Sequence, residues 1–195
     1  MQSDSLIHSS VPATSTNLRD NTIVRSLRLW SQLDVIIQED ARQQGLSVNG
    51  LINTILRKYI EWDRYVEKCR FSSLPREAFR EILEIVDDRE LVKLGEDLGR
   101  RLPKDLLSLW FPKVRLDTFR EYVERCSRYD GIGKSELRVD DGELTIAYFH
   151  DLGQKWSEYQ KAYRTEEVKT IFGVSPQIEA AKNSIITRFS YPNQS

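Results

Sequence analysis

Residues Thr22–Trp30 read "TIVRSLRLW", and the stretch alternates. Ile23, Leu27 and Leu29 fall on one side; Thr22, Val24, Ser26 and Arg28 fall on the other. That two-residue period is the period of a strand. The segments that follow have helical spacing, and no second strand signal lies nearby. An unpaired strand exposes N–H and C=O groups along both edges, so this one needs a partner from elsewhere. Arg25 is the one residue that breaks the apolar side.

After the strand, "SQLDVIIQEDARQQG" places Leu33, Ile36, Ile37 and Ala41 on one helical face. Ser31 is the expected N-cap, with Asp34 three residues on, and Gly45 is a natural C′ residue. "LSVNGLINTILRKYIEWDRYVEKC" opens a second helix capped by Ser47. Val48, Leu51, Ile52, Ile55, Leu56, Tyr59 and Ile60 keep the i, i+3, i+4, i+7 template without a gap. The pattern continues through Tyr65, so "EWDRYVEKCRF" is expected to extend this helix into whatever follows.

Strand, helix, turn and helix over 22–66 cannot close a core alone, because so short a piece buries too little apolar area. The economical solution is a two-fold dimer. The strand then pairs with its own copy as an antiparallel ribbon over four helices. Ile23, Leu27 and Leu29 face the helices, and Thr22, Val24, Ser26 and Arg28 point outward, doubled by symmetry. A two-stranded ribbon fits the major groove of B-DNA. Arg28 can bond guanine in a bidentate manner, Ser26 can donate or accept, and Val24 or Thr22 can touch a thymine methyl. The start of the second helix at Ser47, Val48 and Asn49 is a natural phosphate site. Arg25 is expected at a frayed edge, bent outward toward phosphate or solvent.

On these residues the stretch resembles the ribbon-helix-helix family of prokaryotic regulators, which includes the Arc and methionine repressors. The resemblance rests on "IVRSLRL", "LDVIIQEDARQQ", the turn "GLS" and the helix start "SVNGLINTIL", and covers about a quarter of the chain. It implies an obligate dimer, base reading by Val24, Ser26 and Arg28, and backbone anchoring by Ser47, Val48 and Asn49. An alternating strand with two helices also suits a dimerisation scaffold, or an antitoxin-type interaction module, without DNA reading.

Composition limits the choices further. With 195 residues, 39% hydrophobic and 30% charged, the chain suits one or two soluble domains with a real core. No apolar run approaches a membrane span. The opening "MQSDSLIHSSVPATSTN" lacks the basic region and apolar core of a secretory signal, so a cytoplasmic location is expected. The formal net charge is -1, which argues against a nonspecific polyanion binder. Residues 22–66 carry six Lys/Arg against five Asp/Glu, so a nucleic-acid reading depends on where the charges sit. Cys69 and Cys126 lie far apart in no metal-type spacing and read as reduced thiols.

Residues 1–21 are rich in Ser, Thr and Asn and read as a flexible tail. Residues 67–195 read as a separate α+β domain. "SSLPREAFREILEIVDD" is a helix with a cap-like Ser and Pro75 in its first turn. "DDRELVKLGEDLGRRLPKDLLSLW" gives one or two helices, broken at Gly99 and Pro103. "RLDTFREYVERCSRY" is a helix ended at Gly131. "KSELRVDDGELTIAYF" carries the Asp-Gly hairpin signal, and "QIEAAKNSIITRF" reads as a second hairpin turning at Lys182-Asn183. The helix "GQKWSEYQKAYRTEEVKTIFG" lies between them, so the order is ββαββ. Trp110, Phe111, Tyr148, Phe149, Trp156, Tyr159 and Tyr163 are expected in the core.

Nickel-responsive members of the resembled family carry His and Cys ligands. Here His8, His150, Cys69 and Cys126 form no spaced ligand set, so no metal and no cofactor are expected. His150-Asp151 reads as a surface turn rather than a proton-transfer pair, and no enzymatic role is expected. The whole is then mainly α with an α+β C-terminal part. The expected function is a cytoplasmic repressor-type regulator binding double-stranded DNA as a homodimer or higher oligomer, without a membrane partner. The C-terminal domain is the place for a small-molecule or protein effector.

Overall fold

A computed structural model describes residues 23–69 and 73–191, and it is mainly helical with a small C-terminal sheet. The chain divides into two compact units at Ile52/Asn53, inside a helix and upstream of the 66/67 boundary expected from sequence. The tail 1–21 and Thr22 lie outside the described residues.

In the first unit, residues 23–30 belong to no sheet. The expected strand is not formed there for a physical reason: a ladder needs a second strand, and among the described residues none pairs with this segment. Helix α1 spans Ser31–Gln43. Its N-cap is Trp30, with no side-chain cap bond, so Ser31 is the first helical residue and not the expected cap. Its C-terminus is as expected. Gly45 sits at φ 66°, Leu46 N–H reaches the Ala41 carbonyl at 2.8 Å, and Gly45 N–H reaches that of Arg42 at 3.1 Å. This pair of bonds is a Schellman motif, which a left-handed glycine allows without a Cβ clash. Helix α2, Val48–Lys58, starts where Ser47 Oγ accepts the Gly50 N–H at 3.0 Å.

Helix α2 does not stop at its last regular turn. A π-helical segment, Tyr59–Asp63, and then α3, Arg64–Cys69, continue it as one helical run. In the second unit α4 spans Arg76–Ile85, α5 Asp88–Trp110, α6 Leu116–Tyr129 and α7 Gly153–Phe172. Pro75 is the N-cap of α4, just outside its expected first-turn place. Helix α5 is one uninterrupted helix of 23 residues, so Gly99 and Pro103 do not break it. Both face inward with Leu91, Gly95, Leu107 and Trp110, and packing overrides their poor intrinsic propensity. Asp87 caps it, accepting the Arg89 N–H at 2.9 Å.

The strands are β1 Lys134–Asp140, β2 Glu143–Phe149, β3 Gln177–Ala181 and β4 Ser184–Ser190, in the order β1-β2-β4-β3, all antiparallel. The ββαββ reading holds. Asp141 and Gly142 both have positive φ, as a type I′ turn needs. Alternate residues Leu144, Ile146 and Tyr148 of β2 and Ile185, Thr187 and Phe189 of β4 are buried. That inward face packs with α6 and α7. The main core joins Trp62, Leu107, Trp110, Phe119, Val123, Leu144, Ile146, Val168 and Phe189. A second cluster holds Leu83, Leu91, Tyr148, Leu152, Trp156 and Ile185. Of the seven aromatic residues expected inside, Phe149 is an exception: it ends β2 on the outward face and is 45% exposed.

Candidate nucleic-acid interface

Val24, Arg25, Ser26 and Arg28 are all exposed on the extended segment before α1. Val24 is 87% exposed, and Ile23 and Leu27, expected on the inward face, are 68% and 64% exposed. Leu29, the third residue expected inward, is half-buried, so both sides of the alternation are open in one chain except at Leu29. Arg25 lies outward, its Nη1 at 3.5 Å from the Val24 carbonyl, a distance too long for a firm bond. Ser47 and Asn49 are exposed and Val48 half-buried at the start of α2. The Ser47 hydroxyl oxygen is committed to the cap, so a phosphate would meet its O–H as donor.

The same helical run is gripped at its far end. The π-helical turn interrupts the i→i−4 ladder, and side chains take up a freed carbonyl. Trp110 Nε1 donates to the Glu61 carbonyl at 3.0 Å and Arg125 Nη1 donates to it at 3.2 Å. The Glu61 carboxylate accepts from Arg128 at 3.0 Å and from the Tyr129 hydroxyl at 2.7 Å. Trp62 lies in the core, its ring centroid 5.7 Å from that of Trp110. Sequence reading foresaw the helical extension but not this anchor. Glu61 and Trp62 look like any charged and aromatic pair on a long helix, and the donors come from about 50 to 70 residues away.

Among the described residues no group of three or more His, Cys, Asp and Glu could hold a metal ion. No described helix is long and apolar enough to cross a membrane. Cys126 is a free thiol, and burial pushes its pKa up to about 12. Trp156 stacks on Tyr159 at 4.6 Å, and Tyr159 on Tyr163 at 6.1 Å, a packed stripe along α7.

His150 is held from both nitrogens. Leu152 N–H donates to Nδ1 at 3.2 Å, which leaves the proton on Nε2, 2.9 Å from Ser157 Oγ. Ser157 is fully buried and donates onward to the Ala181 carbonyl at 2.6 Å. The serine proton thus points away from the imidazole, and the pair ties the β3–β4 turn to α7. Burial lowers the His150 pKa from 6.5, and Asp151 opposes this weakly. A lowered histidine contributes stability above its unfolded value and loses it as pH falls. Urea midpoints of the wild type are therefore expected to fall from pH 7 to pH 5 more steeply than those of His150→Gln. Parallel curves for the two proteins would contradict the assignment.

No family model and no curated protein matches the sequence. The functional reading therefore rests on the residues and their geometry.

Proposed function

We propose that the chain is a dimeric, site-specific DNA-binding transcriptional regulator whose N-terminal segments pair as a ribbon in the major groove. The observation that carries the reading is the open apolar side of the first unit. Ile23, Leu27, Trp30, Val35 and Ile36 are each more than half exposed, while Ala41 and Leu51 are the buried apolar residues there. A second copy supplies both the ladder partner for residues 23–30 and the cover for this surface. Val24, Ser26 and Arg28 then read bases, with Thr22 at the ribbon's start. Ser47, Val48, Asn49 and Arg25 hold phosphates. The regulator works in the cytoplasm, without a cofactor and without enzymatic activity, and the second unit receives the signal or adds higher-order contacts.

Selection from a randomised duplex library tests this, and a preferred sequence is expected. Arg28→Ala combined with Ser26→Ala should weaken binding to that sequence by about 1–3 kcal/mol per lost base contact. Sedimentation should still show the dimer. A wild-type protein that dimerises but selects no sequence would instead be a scaffold or antitoxin-type module.

A further inference from the structure

Helix α4 has an apolar arc wider than the body of the protein covers. At 100° per residue, Phe79 and Leu83 point to the second core cluster, and Phe79 meets Trp156 edge-on at 5.1 Å. Ala78, Ile82 and Ile85 continue that arc outward. Ile82 is 43% and Ile85 83% exposed, and Leu74, just before the helix, is half exposed. Beyond this stripe, on the flank away from the core, stand Glu77, Glu81 and Glu84, all exposed.

The cations beside α4 already have partners. Arg76 bonds Asp151 and the Gly131 carbonyl. Arg80 pairs with Glu77 at 2.7 Å and lies 3.6 Å from Asp151. Lys155 donates to the Glu84 and Val86 carbonyls, both at 2.9 Å, and pairs with Asp88 at 3.2 Å. The Glu81 and Glu84 carboxylates have no ion pair among the described residues. The outer side of α4 is thus an isoleucine stripe with an acidic border that its own basic neighbours leave largely uncompensated.

We propose that this face of α4 docks a basic amphipathic helix of another protein, with leucine or isoleucine anchors on the Ile82–Ile85 stripe and lysine or arginine against Glu81 and Glu84. Apolar anchors supply affinity and the opposed charges set orientation and partner choice. A second copy of α4 is a poorer occupant. Two-fold antiparallel packing brings the same flank of each helix together, so glutamates would meet glutamates. The anionic surface of a cell membrane meets the same repulsion. The site lies within the second unit and does not depend on the DNA-reading proposal.

The test uses the full-length protein and a fluorescein-labelled amphipathic helix of leucine and lysine, with a leucine–glutamate helix as counterpart, followed by anisotropy. The lysine helix should bind, more weakly at high salt, and the glutamate helix should not. Ile82→Ser with Ile85→Ser should weaken binding by about tenfold or more. Glu81→Lys with Glu84→Lys should do the same and flatten the salt dependence. Both pairs lie on an exposed surface, and unchanged circular dichroism confirms that each variant is folded. Three outcomes would overturn the proposal: equal binding of the two helices, unchanged affinity in both double variants, or loss of self-association in Ile82→Ser with Ile85→Ser. Wild-type binding to phosphatidylcholine vesicles that these serines abolish would also overturn it, in favour of a membrane.

Discussion

Arg164→Met lowers the unfolding free energy by about 3–5 kcal/mol, the usual cost of stranding a buried charge. Arg164 and Glu167 form an ion pair inside the second unit, with 13% and 0% of their side chains exposed. Burial alone would lower the Arg164 pKa, and the adjoining Glu167 carboxylate together with Tyr163 and Tyr122 more than reverses this. Complete burial pushes the Glu167 carboxyl up, and its Oε1 has no hydrogen-bond partner among the described residues. Without Arg164 the carboxyl must take up a proton or remain charged in an apolar surrounding. An acid raised in the folded state adds stability below its unfolded value and loses it as pH rises. The deficit of Arg164→Met should therefore be small near pH 4.5, the ordinary glutamate value, and grow toward pH 8. Arg164→Met with Glu167→Leu should recover most of the loss, because neither charge is left alone. Urea unfolding across pH measures all three proteins. A flat deficit with no recovery in the double variant would show that Arg164 acts through packing instead.

Gly99→Ala is the second large effect, and its sign is what matters. In an exposed helix this change stabilises by about 1 kcal/mol. Here a Cβ on Gly99 would lie 2.4 Å from the Tyr163 carbonyl oxygen and 3.1 Å from Glu166 Cβ. A Cβ on Gly95 would lie 2.6 Å from the Tyr159 carbonyl. The two glycines, one turn apart, let the backbone of α5 lie against that of α7. Forcing them apart costs about 1–3 kcal/mol at each site, as overpacking does. The double variant should lose more than either single one, though not their sum, because both changes move the same interface. Thermal unfolding of Gly95→Ala, Gly99→Ala and the pair checks this. A stabilised Gly99→Ala would mean that α5 and α7 are not in close contact.

The same glycines show where local reading goes astray. Gly99 and Pro103 were expected to break α5, since both disfavour helix in isolation. Their burial against α7 is a long-range fact, and it makes the absent Cβ an advantage. Ser31 and Pro75 were each displaced by one position, because caps depend on where the chain turns and not on residue type alone. Arg164 and Glu167 stand at i, i+3 on a helix with little amphipathic character, a pattern that reads as a surface pair. Which way that side faces is set by α6 and the sheet.

Patterns closed within a few residues were legible in the sequence. The Gly45 stop, the Ser47 cap, the Asp141-Gly142 turn and the order of the C-terminal helix and hairpins each depend on local backbone chemistry. The alternation over residues 22–30 is also a local pattern, but residues 23–30 form no strand in the single chain, and the DNA-reading roles of Val24, Ser26 and Arg28 belong to the proposal. Tertiary structure decided the rest: the single long α5, the buried Arg164–Glu167 pair, and the π-helical anchor at Glu61 and Trp62. Each depends on groups far apart along the chain meeting in an interior with little water. There an unpaired charge or a clashing methyl costs kilocalories that no local pattern records.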